Sequence, residues 1–512
     1  MAANQVLKKY FCSSNIKIPA GVRYIEVNPI YATNSVISAM RSGAGTNVFI
    51  KNSEGYIGSI GENAVGQQGL GNITSPISTV SPVTSNLAYK LLTSGGSSFL
   101  IDKKGSLFST GLNTRGQLGT GDVVTKSSFT SVLGSLKYAN IFTYPSNDPN
   151  AISVYGISDK CLLYSWGYNS YGQLGVGDVI PRSSPVAVLG GISTLNFSCG
   201  SNTAFLIGFD GNAYAWGINL QGQLGVGDST SRSSPVLVAG NKTWSKILSD
   251  GNATLGLDMD GNAYGWGYNF HGQLGNGPAI SKSSPVAVLG GIKFKNIYMS
   301  GGGSANFSLG LTEEGVAYSW GINIAGNLGV GDVIPRSSPV VVLGNIKFKE
   351  IYPVGYSTYG ISDSGDLYAW GSNTNGQLGV GDVISRSTPT LISSGIKWQE
   401  MFTLNDLGFS VGSAYGLACD GQLYSWGLNS YGQLGLGDTT PRSTPVAVLG
   451  GSAAITPSFT GTSGIKVSGT SLKIKVTPGN TYALKIGDSF SFFDSIPIGF
   501  GTIKRIEISY YM

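Results

Sequence analysis

Histidine is almost missing from this sequence: His271 is the single copy in 512 residues. A Ser-His-Asp catalytic set would have to use it, and a histidine-based metal centre lacks its other ligands. Cysteine is nearly as scarce. Cys12, Cys161, Cys199 and Cys419 lie far apart and form no CxxC pair. That excludes the usual zinc spacing and any dense disulfide framework. They read as small buried hydrophobes in a chain that folds in a reducing cytoplasm. Charge is thin too, at 12% of residues with a net +5. No basic stripe offers the footprint a phosphate backbone requires, so no nucleic-acid partner is expected. No stretch of 18 apolar residues occurs, so no membrane span is expected. The opening MAANQVLKKYFCSSNIKIPAGV has no apolar core of the secretory kind. Helical periodicity is absent.

What is present is glycine, 77 residues of it, with 41% hydrophobic residues and many Tyr, Phe and β-branched side chains. That composition points to all-β structure with many tight turns. A glycine-rich core (G-Q-x-G or G-x-L-G) begins at Gly66, Gly116, Gly172, Gly222, Gly272, Gly326, Gly376 and Gly432, eight copies spaced by 50 to 56 residues. Six tryptophans hold one position in the unit: Trp166, Trp216, Trp266, Trp320, Trp370 and Trp426. Ile60 and Thr110 stand there in the first two copies. Each unit reads as four short strands, for example PVAVL, ISTLNFS, TAFLIG and NAYAWG within residues 185–217. Asp-Gly dipeptides at Asp210-Gly211, Asp260-Gly261 and Asp420-Gly421 predict two-residue hairpins between the third and fourth of these. A lone four-stranded sheet cannot bury both faces. Such sheets repeated around a ring can, and that is a β-propeller.

The string W-G-x-N-x-x-G-Q-L-G-x-G-D followed by R-S-x-P resembles the repeat of the regulator of chromosome condensation family, over residues 36–451. The resemblance implies a propeller, usually of seven blades. Here eight W-G-type strands and eight P-x-x-V strands are present. PVAVLGG at 445–451 has no W-G strand after it, and the set at 37–61 has no P-x-x-V strand before it. These leftovers predict an eight-bladed ring closed by one blade from both chain ends, with seven blades as the alternative. Residues 1–35 and 452–512 fall outside and are expected to form one small β domain. Their IPAGVRYIEV and VTPGNTYALKIG segments resemble the terminal domains of phage tail-fibre and virion-surface proteins. That resemblance implies a virion attachment domain binding other virion proteins.

The extra residues of the long periods fall near Thr143–Asn150, Ser300–Ser304 and Leu404–Ser413, read as lying between the second and third strands of a unit. Repeat insertions gather on one face, often the binding face. The chain ends belong on the opposite, Asp-Gly side. Candidate binding residues are therefore Tyr144, Asn147, Asp148, Asn405, Asp406 and Phe409 in the expanded loops. The loop aromatics Tyr168, Tyr171, Phe270 and Tyr431, with His271 among them, join this set. Aromatics there either stack on a sugar or protein partner or pack between blades.

The recurring Asp/Arg pairs, Asp178 with Arg182 through Asp438 with Arg442, read as local loop caps and ion pairs rather than an anion ring. A carboxylate pair for glycan cleavage, drawn from Asp148, Asp332 and Asp406, is not excluded. No catalytic residue, cofactor or metal is assigned. The leading expectation is a non-enzymatic virion adhesion protein, a fibre, spike or decoration protein that offers its propeller to a host-surface glycan or protein, with homo-oligomer formation left open. The alternatives are an intracellular protein-interaction propeller of the chromosome-condensation-regulator type and a glycan-cleaving tail protein.

Overall fold

The computed structural model describes residues 7–11, 15–17, 24–31, 34–42, 45–52, 57–83, 88–94, 96–102, 104–144, 150–300, 306–392, 395–405, 411–448, 472–475, 481–483, 490–492, 496–498 and 503–511. Among them every regular element is a β-strand. Eight antiparallel sheets each take four consecutive strands, which makes a β-propeller of four-stranded blades. We number these blades in chain order. Blade 1 runs from Asn34 to Val83, blade 2 from Ala88 to Ser131, blade 3 from Tyr138 to Ala187 and blade 4 from Thr194 to Leu237. Blade 5 runs from Trp244 to Ala287, blade 6 from Asn296 to Val341, blade 7 from Phe348 to Leu391 and blade 8 from Trp398 to Ala447. Within blade 4 the order is Thr194–Gly200, Thr203–Gly208, Ala213–Gly217 and Arg232–Leu237, each strand pairing with the next.

This order corrects the phase expected from the sequence. The R-S-x-P-V strand closes its own blade instead of opening the next. Ser165 sits opposite Val186 and Tyr164 opposite Ala187 in one ladder. The physical reason is the G-Q-L-G segment, which doubles back and returns the chain antiparallel to the W-G strand. No strand is left over at either end. Blades 1 and 8 are each complete, so the expected closing blade built from both chain ends does not exist. The expanded loops accordingly join the first strand of a blade to its second. Alternation of strand direction puts the ends of the first and second strands that flank these insertions on the same face as the G-Q-L-G loops, with the Asp-Gly turns opposite.

The Asp-Gly turns also differ from expectation. Gly211 N–H donates to Gly208 O at 2.9 Å and Gly208 N–H to Asn212 O at 2.9 Å, so the loop has three residues, not two. Gly211 has a φ of +77°, while Asp210 stays out of the left-handed region. A type I turn followed by one left-handed residue explains this. Cys161 fills that left-handed position in blade 3, with a φ of 60°.

First strands of neighbouring blades face one another near the axis, Trp398–Asn405 against Asn34–Ser42 included. Fourth strands form the half-exposed perimeter. The core therefore lies between blades, and all six aligned tryptophans are fully buried there. Each indole N–H donates backwards to the preceding blade, as Trp216 Nε1 does to Gln173 O at 2.8 Å and Trp320 Nε1 to Gln273 O at 2.9 Å. The ring must come close to the loop backbone. A Cβ on Gly275 would lie 2.8 Å from Trp320 Nε1, which is why glycine stands there. The degenerate positions are repaired differently. Thr110 Oγ1 donates to Gly66 O at 2.9 Å, and Phe129 packs over Gly69 where an indole lies elsewhere.

Strands from the two chain ends share one further sheet, in the order Leu7–Phe11, Ile503–Tyr511, Tyr24–Tyr31 and Leu472–Lys475.

Trp266 Nε1 donates to Gln223 O at 3.0 Å in a fully buried boundary. Trp266→Phe keeps an aromatic ring and removes this donor and part of the contact. A loss of about 1–2 kcal/mol is expected in denaturant unfolding.

Candidate interaction face

The loop joining third to fourth strand repeats one asparagine cap in every blade, joined by a glutamine bond in all but blade 6, where Asn327 replaces the glutamine and donates to Ile322 O instead. In blade 5, Asn269 Oδ1 accepts Leu274 N–H at 3.0 Å, and its Nδ2 donates to Asn276 Oδ1 at 3.0 Å and Pro278 O at 2.6 Å. His271 N–H donates to Gln273 Oε1 at 3.0 Å. Asn269 and Gln273 are buried, so the amides that shape the loop are unavailable for binding. The residue after the asparagine points out in every blade, and the one after that does so in some. At the first of these, Leu220 is 66% exposed, Phe270 70% and Ile324 58%, in three successive blades. Ala64, Thr114, Ser170, Thr374 and Ser430 hold that position in the other five. At the second, Tyr171 is 41% and Tyr431 45% exposed. The face thus carries an apolar arc over blades 3 to 6 on an otherwise repeated frame.

Aromatic contacts fix the middle of the arc. Tyr268 and Phe270 are stacked at 6.4 Å with planes 19° apart, and His271 stands edge-on to Phe270 at 5.3 Å. Tyr171, Phe270 and Tyr431 project to solvent rather than packing between blades, while Tyr168 and His271 are half-buried. Tyr144 is half-buried beside a small hollow that it lines with Ser153, Tyr155, Ser201 and Asn202. Asn405 ends the first strand of blade 8, opposite Val411. Asn147, Asp148, Asp406 and Phe409 lie outside the described residues. Sequence reasoning missed Leu220 and Ile324. Their shared repeat position with Phe270 was the available signal.

The rim is electrically quiet. Arg182 pairs with Asp178 at 2.5 Å, Arg336 with Asp332 at 2.6 Å and Arg442 with Asp438 at 2.6 Å. Each aspartate also caps its own loop, as Asp332 Oδ1 does for Ile334 N–H at 2.9 Å. The backbone N–H of Ile334 and the Arg336 guanidinium hold the Asp332 carboxyl below the usual carboxylate range, which ill suits a general acid for glycan cleavage. Two carboxyls go the other way. Burial pushes up both Glu62 and Asp250. Burial also pushes the Cys199 thiol up to about 12, which keeps it unreactive. Among the described residues no group of three or more His, Cys, Asp and Glu could hold a metal ion. No helix there is long and apolar enough to cross a membrane.

Residues 162–207, 210–249, 260–309, 364–402 and 420–461 match the family model described as the regulator of chromosome condensation (RCC1) repeat. These are RCC1-type repeats. The matched segments begin in blade 3, after the two blades in which Ile60 and Thr110 replace the tryptophan. The crystal structure of human WBSCR16 is similar in fold, with a TM-score of 0.53 and 19% identity over 68% of this chain and 95% of that one. Yeast RCC1 (Prp20), crystallised with Kap60 bound, gives 0.52 and 16% over 78% and 90%. A structure of Prp20p from Saccharomyces cerevisiae, a protein with binding properties to Gsp1p and histones, gives 0.51 and 16% over 76% and 91%. No curated protein sequence matches the chain.

The RCC1 loop frame makes a direct prediction. Asn269→Ala strips the hydrogen bonds to Leu274 N–H, Asn276, Pro278 O and Ile280 O from one loop, two of them buried and two half-buried, and a loss of about 2–3 kcal/mol in denaturant unfolding is expected. Glu62 gives a pH prediction. Its folded carboxyl binds a proton more tightly than the unfolded one, so it favours folding at low pH and opposes it as pH rises through the folded value. Glu62→Gln should raise the thermal midpoint at about pH 7, with the gain fading by about pH 4.

Proposed function

We propose that this protein is a non-enzymatic protein-interaction scaffold of the RCC1 type, a ring closed with eight blades, whose partner docks on the G-Q-L-G face over blades 3 to 6. One observation carries the reading. The loop frame is constant and buried, whereas its tips vary, and three successive tips present Leu220, Phe270 and Ile324 to solvent. Large apolar side chains held on a rigid frame are the anchors protein interfaces use. The ion pairs of the rim are already matched within the chain, so the face offers apolar contact rather than charge. Yeast Prp20p, a structural neighbour, is described as binding Gsp1p and histones. A protein partner of that sort suits this reading. The repeats and the yeast neighbours favour it over virion adhesion to a host glycan.

The test is a binding titration of Gsp1p and of core histones against the intact chain and against Leu220→Ser/Phe270→Ser/Ile324→Ser. At least about tenfold weaker binding of one probe, with an unchanged thermal midpoint, is expected when apolar anchors are removed. Undiminished binding would move the docking surface off this face. No binding of either probe would count against RCC1-type partners.

A further inference from the structure

Eight equivalent blade boundaries allow each to be judged against the rest. At seven of them a loop glycine N–H donates to a serine carbonyl on the next perimeter strand at 2.8 or 2.9 Å, from Gly71 to Ser127 O through Gly381 to Ser443 O. At the eighth, between blades 8 and 1, Gly437 N–H reaches Ser78 O at 3.2 Å. Six boundaries add an indole donor, as Trp426 Nε1 to Gln377 O at 2.8 Å. The boundary between blades 1 and 2 substitutes the Thr110 hydroxyl. The boundary between blades 8 and 1 has Ile60 at that position, whose side chain has no hydrogen-bonding group. Ile60 only packs towards Gly435, its Cδ1 lying 2.9 Å from where a Cβ would stand. Since every sheet uses consecutive strands, no β-ladder of the ring crosses this boundary either. Blade 1 adds the cost of a buried Glu62 whose Oε2 has no hydrogen-bond partner.

We propose that the boundary between blades 8 and 1 is the seam at which the ring opens, and that the sheet built from both chain ends is the clasp that holds it shut. Connectivity supplies the second half. Tyr24–Tyr31 ends two residues before blade 1 begins at Asn34. Val27 in that strand pairs with Leu472 and with Ile508, both beyond blade 8. The entry to blade 1 is thereby hydrogen-bonded to the chain that leaves blade 8. A clasp of this kind does the work a shared blade would do, by limiting the separation open to the two edges. Opening then begins where, among the described residues, the repeated latch bonds are weakest, as local unfolding does in other folds.

Hydrogen exchange of the intact chain tests both halves. In the unmodified protein, amides of 34–83 and 398–447 should exchange at least about tenfold faster than those of 194–287. Val27→Pro, which breaks the middle strand of the clasp, should accelerate exchange in both blades 1 and 8 at least about tenfold while blades 4 and 5 stay protected. Ile60→Trp, which restores the donor found at six other boundaries, should slow exchange in both. Uniform protection, or fastest exchange at another boundary, would overturn the seam. Unchanged exchange in blades 1 and 8 of Val27→Pro would overturn the clasp. If Ile60→Trp fails to fold, the unmodified protein and Val27→Pro decide the matter between them.

Discussion

The fold depends on two bonds that one loop makes to the blade after it. Its glycine N–H reaches forward to the perimeter strand of the next blade, and its glutamine carbonyl receives the next blade's indole. A four-stranded sheet leaves two apolar faces uncovered, so a single blade has no stable form in water. The latch sets the distance and angle at which the next sheet covers one of them. It also explains the glycines on which it turns. Backbone and indole approach too closely for a Cβ, and several loop positions take φ values near +70° to +100° that other residues avoid.

That latch separates what is structural from what is free to vary. Asn, Gln, Gly and Asp of the loop are consumed in holding the ring, and the Asp/Arg pairs neutralise one another along the rim. The two tip positions after the asparagine carry no such duty. They can change from Ala64 to Phe270 without disturbing a boundary, which is how a repeated fold acquires one distinctive face. On the proposed reading, function in such a protein belongs to the tips and stability to the frame.

The same division explains how the ring ends. Where the repeat is intact, each boundary is a copy of the last. In the first two blades the tryptophan is gone, and the copies are mended piecemeal by Thr110 and Phe129 or, at Ile60, left without a donor. A closed ring has no terminal repeat to cap, but it has one boundary whose two sides are the farthest apart in the chain, and among the described residues that boundary has the longest glycine-to-serine bond and no indole or hydroxyl donor.

Much of this was legible in the residues. The period, the six tryptophans, the loop caps and the all-β character follow from spacing and residue type alone, because a buried indole or a capping aspartate must recur wherever its environment recurs. The phase of the blade did not follow. A repeat looks the same wherever it is cut, and only the ladder between Ser165 and Val186 shows that the perimeter strand belongs to the blade before it. The same limit applied to the tips. The sequence by itself determined the unit and its fixed frame. Tertiary structure decided where each unit begins, that Leu220, Phe270 and Ile324 share one exposed arc, and which boundary closes the ring, since each of these depends on contacts between residues that no local spacing brings together.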